Sequence, residues 1–403
     1  MMANSLVVAC GTYDGSVFAM LYSHEQINNT GPAPLKACLV DPAAHSGAVT
    51  ALATKRDFII SGSTDESLQV FSLSNRTRLG SLDLHTGTIR QLDFSADSAP
   101  ASLLHLFSAS DDGCIAIWRA EINSRMPNPS AWECIRVLRR HKGPVLSMAI
   151  HPSNHYAYSL SEDKVFRVWN LMRGRQAYAT RLKNIADGAQ TVQISPTGKR
   201  ILFGWPNRFD VVDLSGAESE NDQNSGRCLG SVHFPQQLSA TAVFHSEDDD
   251  NNDGSKQPLF VYMLAGLDAL LHAFRLPISP KSKSAKTAEE MGQLKLPGKR
   301  IKFIKVLHWP QCFREQSPPV YGFRSRLTIV ATTESSGSHL RGYCINFHSC
   351  QTLEVDKSFF PVFTYDIPSV RITSLAVDWL PENKSELCDP NGDVSMSNDS
   401  QPT

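Results

Sequence analysis

Three histidines, His45, His85 and His141, each precede a serine and an aspartate that could complete a hydrolase triad. The sets are His45 with Ser61 and Asp65, His85 with Ser108 and Asp112, and His141 with Ser159 and Asp163. In a triad the serine attacks, the imidazole takes its proton and the carboxylate orients the imidazole. One such centre serves one reaction, and here the constellation recurs three times. Each serine lies four residues before its aspartate, and an aromatic (Phe71, Trp118 or Trp169) lies six residues after it. Recurrence suits a structural fastener: a His–Asp–Ser–aromatic chain whose buried polar groups pair with one another. No H-E-x-x-H, Walker loop or G-x-S-x-G occurs elsewhere, so no catalytic, cofactor-binding or metal-ligating residue is assigned. His151-Pro152-Ser153 reads as a turn between strands.

The elements around these residues explain the spacing. Each histidine opens a short loop: His45-Ser46-Gly47-Ala48-Val49, His85-Thr86-Gly87-Thr88-Ile89 and His141-Lys142-Gly143-Pro144-Val145. An alternating apolar strand follows each loop, as in Val145-Leu146-Ser147-Met148-Ala149-Ile150, and period-two alternation marks a strand with a packed face. The serine then lies on a second strand, the aspartate in a tight turn and the aromatic on a third strand. One such unit cannot bury its own faces, so several must stack.

These residues resemble WD repeats, which build four-stranded propeller blades. The match is strong over 45–82, 85–138 and 141–180. The count that accommodates the remaining strands is seven blades in an all-β fold. Leu6-Val7-Val8-Ala9-Cys10-Gly11 and Val17-Phe18-Ala19-Met20 supply middle strands of a blade, and Leu35 to Val40 its outer strand. The missing innermost strand is expected from Val370 to Trp379, so the two ends of the chain share a blade and close the ring. Three further blades are expected between Thr180 and Pro368. Their polar signature is poorer: Asn207 replaces the first turn aspartate, Leu264 the serine before Asp268, and no clear turn aspartate marks the last.

Residues 1–380 are thus read as one propeller. Polar insertions are expected at about 121–130, 215–226, 246–257 and 279–296, and a disordered polar tail over 381–403. The apolar run Leu259 to Leu276 carries Asp268 near its middle, and an aspartate at a bilayer centre costs roughly 3 kcal/mol. It reads better as two strands and a turn, so no membrane partner is expected. The net charge of −1 gives no global attraction to polyanions. Nine cysteines without a C-x-x-C pair, behind no leader-like segment, suggest reduced thiols in an intracellular protein.

Basic residues gather locally. Arg136, Arg139, Arg140 and Lys142 lead into the blade at 141–180, and Arg173, Arg175, Arg181 and Lys183 lead out of it. Neighbouring blades could join them into one patch facing RNA phosphates, against the plainer reading of ordinary solvent-facing charges. Lys299, Arg300, Lys302 and Lys305 form another group.

A finer resemblance runs through Trp132-Glu133-Cys134, His141-Lys142-Gly143-Pro144-Val145, His151-Pro152-Ser153, Asp163-Lys164, Arg167-Val168-Trp169-Asn170-Leu171 and Gly174-Arg175. Gly62-Ser63-Thr64-Asp65-Glu66 and His85-Thr86-Gly87-Thr88-Ile89 extend it. Over about residues 45–180 the chain is similar to a WD-repeat family of PAK-interacting proteins and large-ribosomal-subunit assembly factors. The resemblance implies a non-enzymatic, nuclear and nucleolar scaffold in pre-60S maturation, a monomer within a larger complex. Its implied partners are assembly proteins and pre-ribosomal particles, with pre-rRNA contact and inhibition of PAK-type kinases as further implications. Family members often end in a lysine-rich tail, whereas the last residues here are acidic and polar. A kinase-signalling adaptor and a generic adaptor in ubiquitin ligation or chromatin remain as alternatives.

Overall fold

The computed structural model describes residues 5–23, 35–96, 103–121, 132–182, 186–195, 198–213, 227–234, 237–245, 259–267, 270–278, 289–307, 325–334, 337–346 and 359–380. They form seven four-stranded antiparallel sheets. Blade 1 contains β1 (Ser5–Thr12), β2 (Val17–Ser23) and β3 (Lys36–Asp41). Blade 2 contains β4 (Val49–Lys55), β5 (Phe58–Ser63), β6 (Leu68–Ser72) and β7 (Thr77–Leu82). Blade 3 contains β8 (Ile89–Phe94), β9 (Leu103–Ser110), β10 (Cys114–Glu121) and β11 (Trp132–Arg139). Blade 4 contains β12 (Val145–Ile150), β13 (Tyr156–Ser161), β14 (Val165–Asn170) and β15 (Arg175–Arg181). Blade 5 contains β16 (Thr191–Ile194), β17 (Arg200–Trp205), β18 (Arg208–Asp213) and β19 (Arg227–His233). Blade 6 contains β20 (Ala240–His245), β21 (Leu259–Leu267), β22 (Leu270–Ile278) and β23 (Glu289–Lys295). Blade 7 contains β24 (Arg300–Leu307), β25 (Ser325–Glu334), β26 (Gly337–Asn346) and β27 (Phe359–Pro368).

The last strand, β28 (Ile372–Trp379), joins blade 1. It pairs antiparallel with β1 from Leu6↔Trp379 to Thr12↔Ile372. The Leu380 amide donates to Ser5 O at 2.9 Å, and the Thr373 hydroxyl donates to Val49 O of the next blade at 2.7 Å. The ring is therefore latched by the two ends of the chain, and blade 1 gains the innermost strand that its N-terminal part lacks.

Alternation decides which neighbour each blade packs against. On β1, Leu6, Val8 and Cys10 pack toward blade 7, while Val7 and Ala9 pack toward blade 2. Both faces are fully buried, which is why this strand reads as an unbroken apolar run. The described residues form seven such buried clusters, one at each junction between adjacent blades.

The insertion expected at 279–296 is corrected in part. Residues 289–295 are β23, the outer strand of blade 6, with Met291 and Leu294 turned into the core. An outer strand has a sheet neighbour on one side only, so it tolerates charge at most positions, and its polarity resembled a loop. Residues 279–288 of that expectation lie outside the described residues. So do 122–130, 215–226, 246–257, the tail from 381 to 403, and Asp268. No helix among the described residues is long and apolar enough to cross a membrane.

Candidate functional site

The three histidine sets come together in blades 2, 3 and 4. In blade 3, His85 Nδ1 lies 2.8 Å from Asp112 Oδ2, and His85 Nε2 lies 2.8 Å from Ser108 Oγ. Trp118 Nε1 donates to the same Ser108 oxygen at 2.9 Å. Blade 4 repeats the chain: His141–Asp163 at 3.0 Å, His141–Ser159 at 2.7 Å and Trp169–Ser159 at 2.8 Å. Donor and acceptor rules give it a direction. A carboxylate only accepts, so Nδ1 carries the imidazole proton; bare Nε2 then accepts from the serine, whose oxygen accepts from the indole N–H. Neutral imidazole fits its surroundings. Burial holds the His45 and His141 pKa values below the usual histidine range, against the pull of Asp65 and Asp163.

Each aspartate also collects backbone amides. Asp65 accepts from Ser46 N at 2.9 Å and Ser67 N at 3.1 Å. Asp112 accepts from Thr86 N at 3.2 Å and Cys114 N at 2.8 Å. Asp163 accepts from Lys142 N and Val165 N, both at 3.0 Å. Burial pushes the Asp112 carboxyl up, but His85 and these amides outweigh it and hold the pKa at about 2. The serine oxygens, Ser61, Ser108 and Ser159, are wholly buried. A serine that is wholly buried and bonded to its histidine has no path to a substrate, so the sets act as latches between loop, turn and strands.

Blade 2 departs at one end of the chain. His45 lies 3.1 Å from Asp65 Oδ2 and 2.7 Å from Ser61 Oγ, but Phe71 has no N–H to extend it. Phe71 contributes only burial, at the junction with blade 1.

Sequence reasoning missed a second serine in each latch. Ser63, Ser110 and Ser161 are buried two residues before the aspartates. Each accepts from the aspartate's amide, at 3.2, 3.3 and 3.2 Å. Ser110 and Ser161 donate back to Gly87 O at 2.8 Å and Gly143 O at 3.0 Å of the entering loops. The signal was visible as Ser-x-Ser-x-Asp in all three repeats.

The latches define a turn face of the ring, which holds the aspartate turns and histidine loops. The opposite face holds turns such as His151–Asn154, where Asn154 bonds Ala96 of blade 3 through both amide atoms, at 3.0 and 3.1 Å. This geometry divides the expected basic patch. All six of its residues are exposed. Arg139 pairs with Cys114 beside the Asp112 turn, and Lys142 caps Asp163, so Arg139, Arg140 and Lys142 belong to the turn face. Arg175 pairs with Asn170 at the other end of blade 4, next to Arg173. Arg136 reaches across from blade 3 to this end, donating to Arg173 O and Gly174 O at 3.2 Å. The six therefore form two groups on opposite faces, because strand direction, not sequence proximity, sets the end at which each emerges.

The innermost strands line a central channel. At its mouth on the face opposite the latches lies a cavity of about 640 Å³, lined by Gln91, Asp93, Met148, Gln193, Ser195 and Lys305 among others. Gln91 spans two blades, donating to Met148 O and accepting from Met148 N, both at 2.9 Å. It also donates to Asp93 at 2.5 Å. Burial pushes the Asp93 carboxyl up to about 6, with Lys305 and Gln91 opposing. No group of three metal-ligating side chains occurs among the described residues.

Comparison with known proteins agrees with this geometry. The family model "WD domain, G-beta repeat" matches residues 76–119 and 132–170, which fall on blades 2 to 4. The chain is 31% identical over 233 residues to "p21-activated protein kinase-interacting protein 1-like" of Xenopus laevis, covering 58% of each chain. It is 30% identical over 228 residues to "Protein MAK11" of Saccharomyces cerevisiae, covering 53% of each. It is 26% identical over 211 residues to "Shk1 kinase-binding protein 15" of Schizosaccharomyces pombe, covering 51% of this chain and 52% of that one. The matches thus span between half and three fifths of these curated relatives. The chain is a seven-bladed β-propeller built on WD repeats, similar over that span to PAK-interacting proteins and to MAK11.

Proposed function

We propose that this propeller is a non-enzymatic docking scaffold in assembly of the large ribosomal subunit, working in the nucleolus on pre-ribosomal particles. The observation that carries the reading is the similarity to MAK11 and the PAK-interacting proteins, together with the family resemblance centred on the latched blades. The latch chemistry supports the non-enzymatic part: the only recurring nucleophile–base pairs among the described residues are sealed and bonded to one another. A ring of loops on two faces offers several simultaneous contacts, as a scaffold requires.

A second reading, an adaptor of PAK-type kinases, is favoured by the names of two relatives, a kinase-interacting and a kinase-binding protein. Affinity purification of the tagged full chain, with and without nuclease, separates the two. The assembly reading expects large-subunit precursor RNA and assembly proteins, and slower precursor rRNA maturation on depletion. A kinase recovered after nuclease treatment, without precursor particles, would favour the adaptor. Recovery of membrane or cytoskeletal partners alone would defeat both readings.

A further inference from the structure

Five inner strands share a defect close to the turn face. Their pairing with the next strand slips by one residue, which leaves Thr50, Arg90, Leu146, Lys302 and Thr373 outside the ladder. Such bulges re-aim side chains. Thr373 and Thr50 use the position to bond the neighbouring inner strand, at Val49 O and Ile89 O. Arg90 turns away and pairs with Asp111 at 2.6 Å.

Lys302 occupies the same position in blade 7 and has no carboxylate partner among the described residues. Its neighbours are cations instead. Burial, and after it the Arg300 and Arg371 guanidiniums, push its ammonium below the usual lysine range. Arg300 opens β24 and Arg371 directly precedes β28, and both are exposed without a carboxylate partner among the described residues. Three cations from two adjacent inner strands repel one another, a cost that a bound anion would offset. Beside them stands Tyr13, 68% exposed, whose amide donates to Arg371 O at 3.1 Å. The adjacent carboxylate, Asp14, is engaged by the Thr12 and Ser16 hydroxyls.

We infer that Tyr13, Arg300, Lys302 and Arg371 form a contact site for single-stranded RNA at the channel mouth on the turn face. The cations hold successive phosphates, and the tyrosine ring stacks on a base. Lys305, grouped with these residues by sequence, belongs to the cavity at the opposite mouth. The choice of RNA over an acidic peptide rests on the proposed ribosome-assembly function and on the exposed ring.

The test is fluorescence anisotropy of a labelled mixed-sequence single-stranded RNA against the full chain across a salt series. The Arg300→Gln/Arg371→Gln double variant should bind at least about tenfold more weakly, with a log–log salt slope shallower by about 1.4. Tyr13→Ala should lose roughly five- to a hundredfold with an unchanged slope. Arg119→Gln, whose side chain pairs with Glu133, should behave like the parent. The double variant should melt no lower than the parent, because it relieves repulsion. Parent-like affinity and slope in the double variant, no affinity in the parent, or tighter binding of a polyglutamate peptide through these residues would each overturn the site. Sedimentation with large-subunit precursors, measured in parallel, keeps the two proposals apart. A parent that sediments with precursors but ignores the oligonucleotide overturns only the site; one that binds it but never sediments with precursors overturns only the assembly reading.

Discussion

Blades 2 to 4 and blades 5 to 7 have the same strand order but hold their second-to-third-strand turns by different means. The first group uses a buried polar relay from aspartate through histidine to serine, ending on tryptophan in blades 3 and 4. The second group puts apolar side chains where the serine would be, Phe203 in blade 5 and Leu264 in blade 6, both buried. Local substitutes support these blades. Trp205 donates to Asp187 O at 2.7 Å and lies under the Arg208 guanidinium at 4.0 Å. Phe234 packs edge-on against Phe274 across blades 5 and 6, and Thr332 bonds Pro297 O at 2.6 Å in blade 7. A four-stranded blade can thus be closed by specific hydrogen bonds or by generic burial. The first dictates residue identity, and the second only size and polarity.

The sharpest way to break this comparison is to truncate the turn side chain in one blade of each group. Asp163→Ala strands His141 and two amides and should cost roughly 1–3 kcal/mol, read by urea melts. Asn207→Ala, at the corresponding exposed turn of blade 5, should stay within about 0.5 kcal/mol. Equal costs would erase the distinction. Next in size, Ser108→Ala leaves both Trp118 and His85 unsatisfied, while Ser61→Ala leaves only His45. The first should be more damaging by about 1 kcal/mol, and equal melting curves would show that the indole bond contributes nothing.

Acid should act unevenly around the ring. His45 and His141 have lowered folded pKa values, so the unfolded chain takes up protons first. Their contribution is complete above about pH 6.5, the unfolded value, and is lost as pH falls through the folded value. Asp112 adds a loss between about pH 4, its unfolded value, and about 2. Hydrogen exchange at pH 5 against pH 7.5 should therefore show blades 2 and 4 losing protection more than blade 5; uniform loss would argue against the latches as the acid-sensitive parts. The smallest effect concerns the residue after each aspartate, which is left-handed: φ is +72° at Glu66, +76° at Gly113 and +60° at Lys164. Lys164→Gly should stabilise by about 0.5 kcal/mol, the left-handed strain relieved less the entropy glycine loses. A lower melting temperature would show that Lys164 has compensating contacts.

The same contrast explains what was legible in the sequence. The latched blades announced themselves because hydrogen bonding fixes residue types at fixed spacings, and the closing strand Ile372–Trp379 because an apolar strand without a blade needed a partner. The outer strand Glu289–Lys295 was read as an insertion because one-sided packing leaves few apolar positions. The split of Arg136, Arg173 and Arg175 from Arg139, Arg140 and Lys142 was hidden because sequence gives neighbours, whereas strand direction gives faces. The cluster of Arg300, Lys302 and Arg371 joins residues far apart in the chain, and only ring closure brings them together.

The central claim is that the His–Asp–Ser sets hold the propeller together while its surfaces do the docking. It is tested most directly by measuring stability and precursor association together in Asp163→Ala, at a temperature where the variant remains folded. The account predicts a lowered melting temperature with undiminished co-sedimentation per folded molecule. An unchanged melting temperature with lost co-sedimentation would contradict it, because the latch would then be part of the working site.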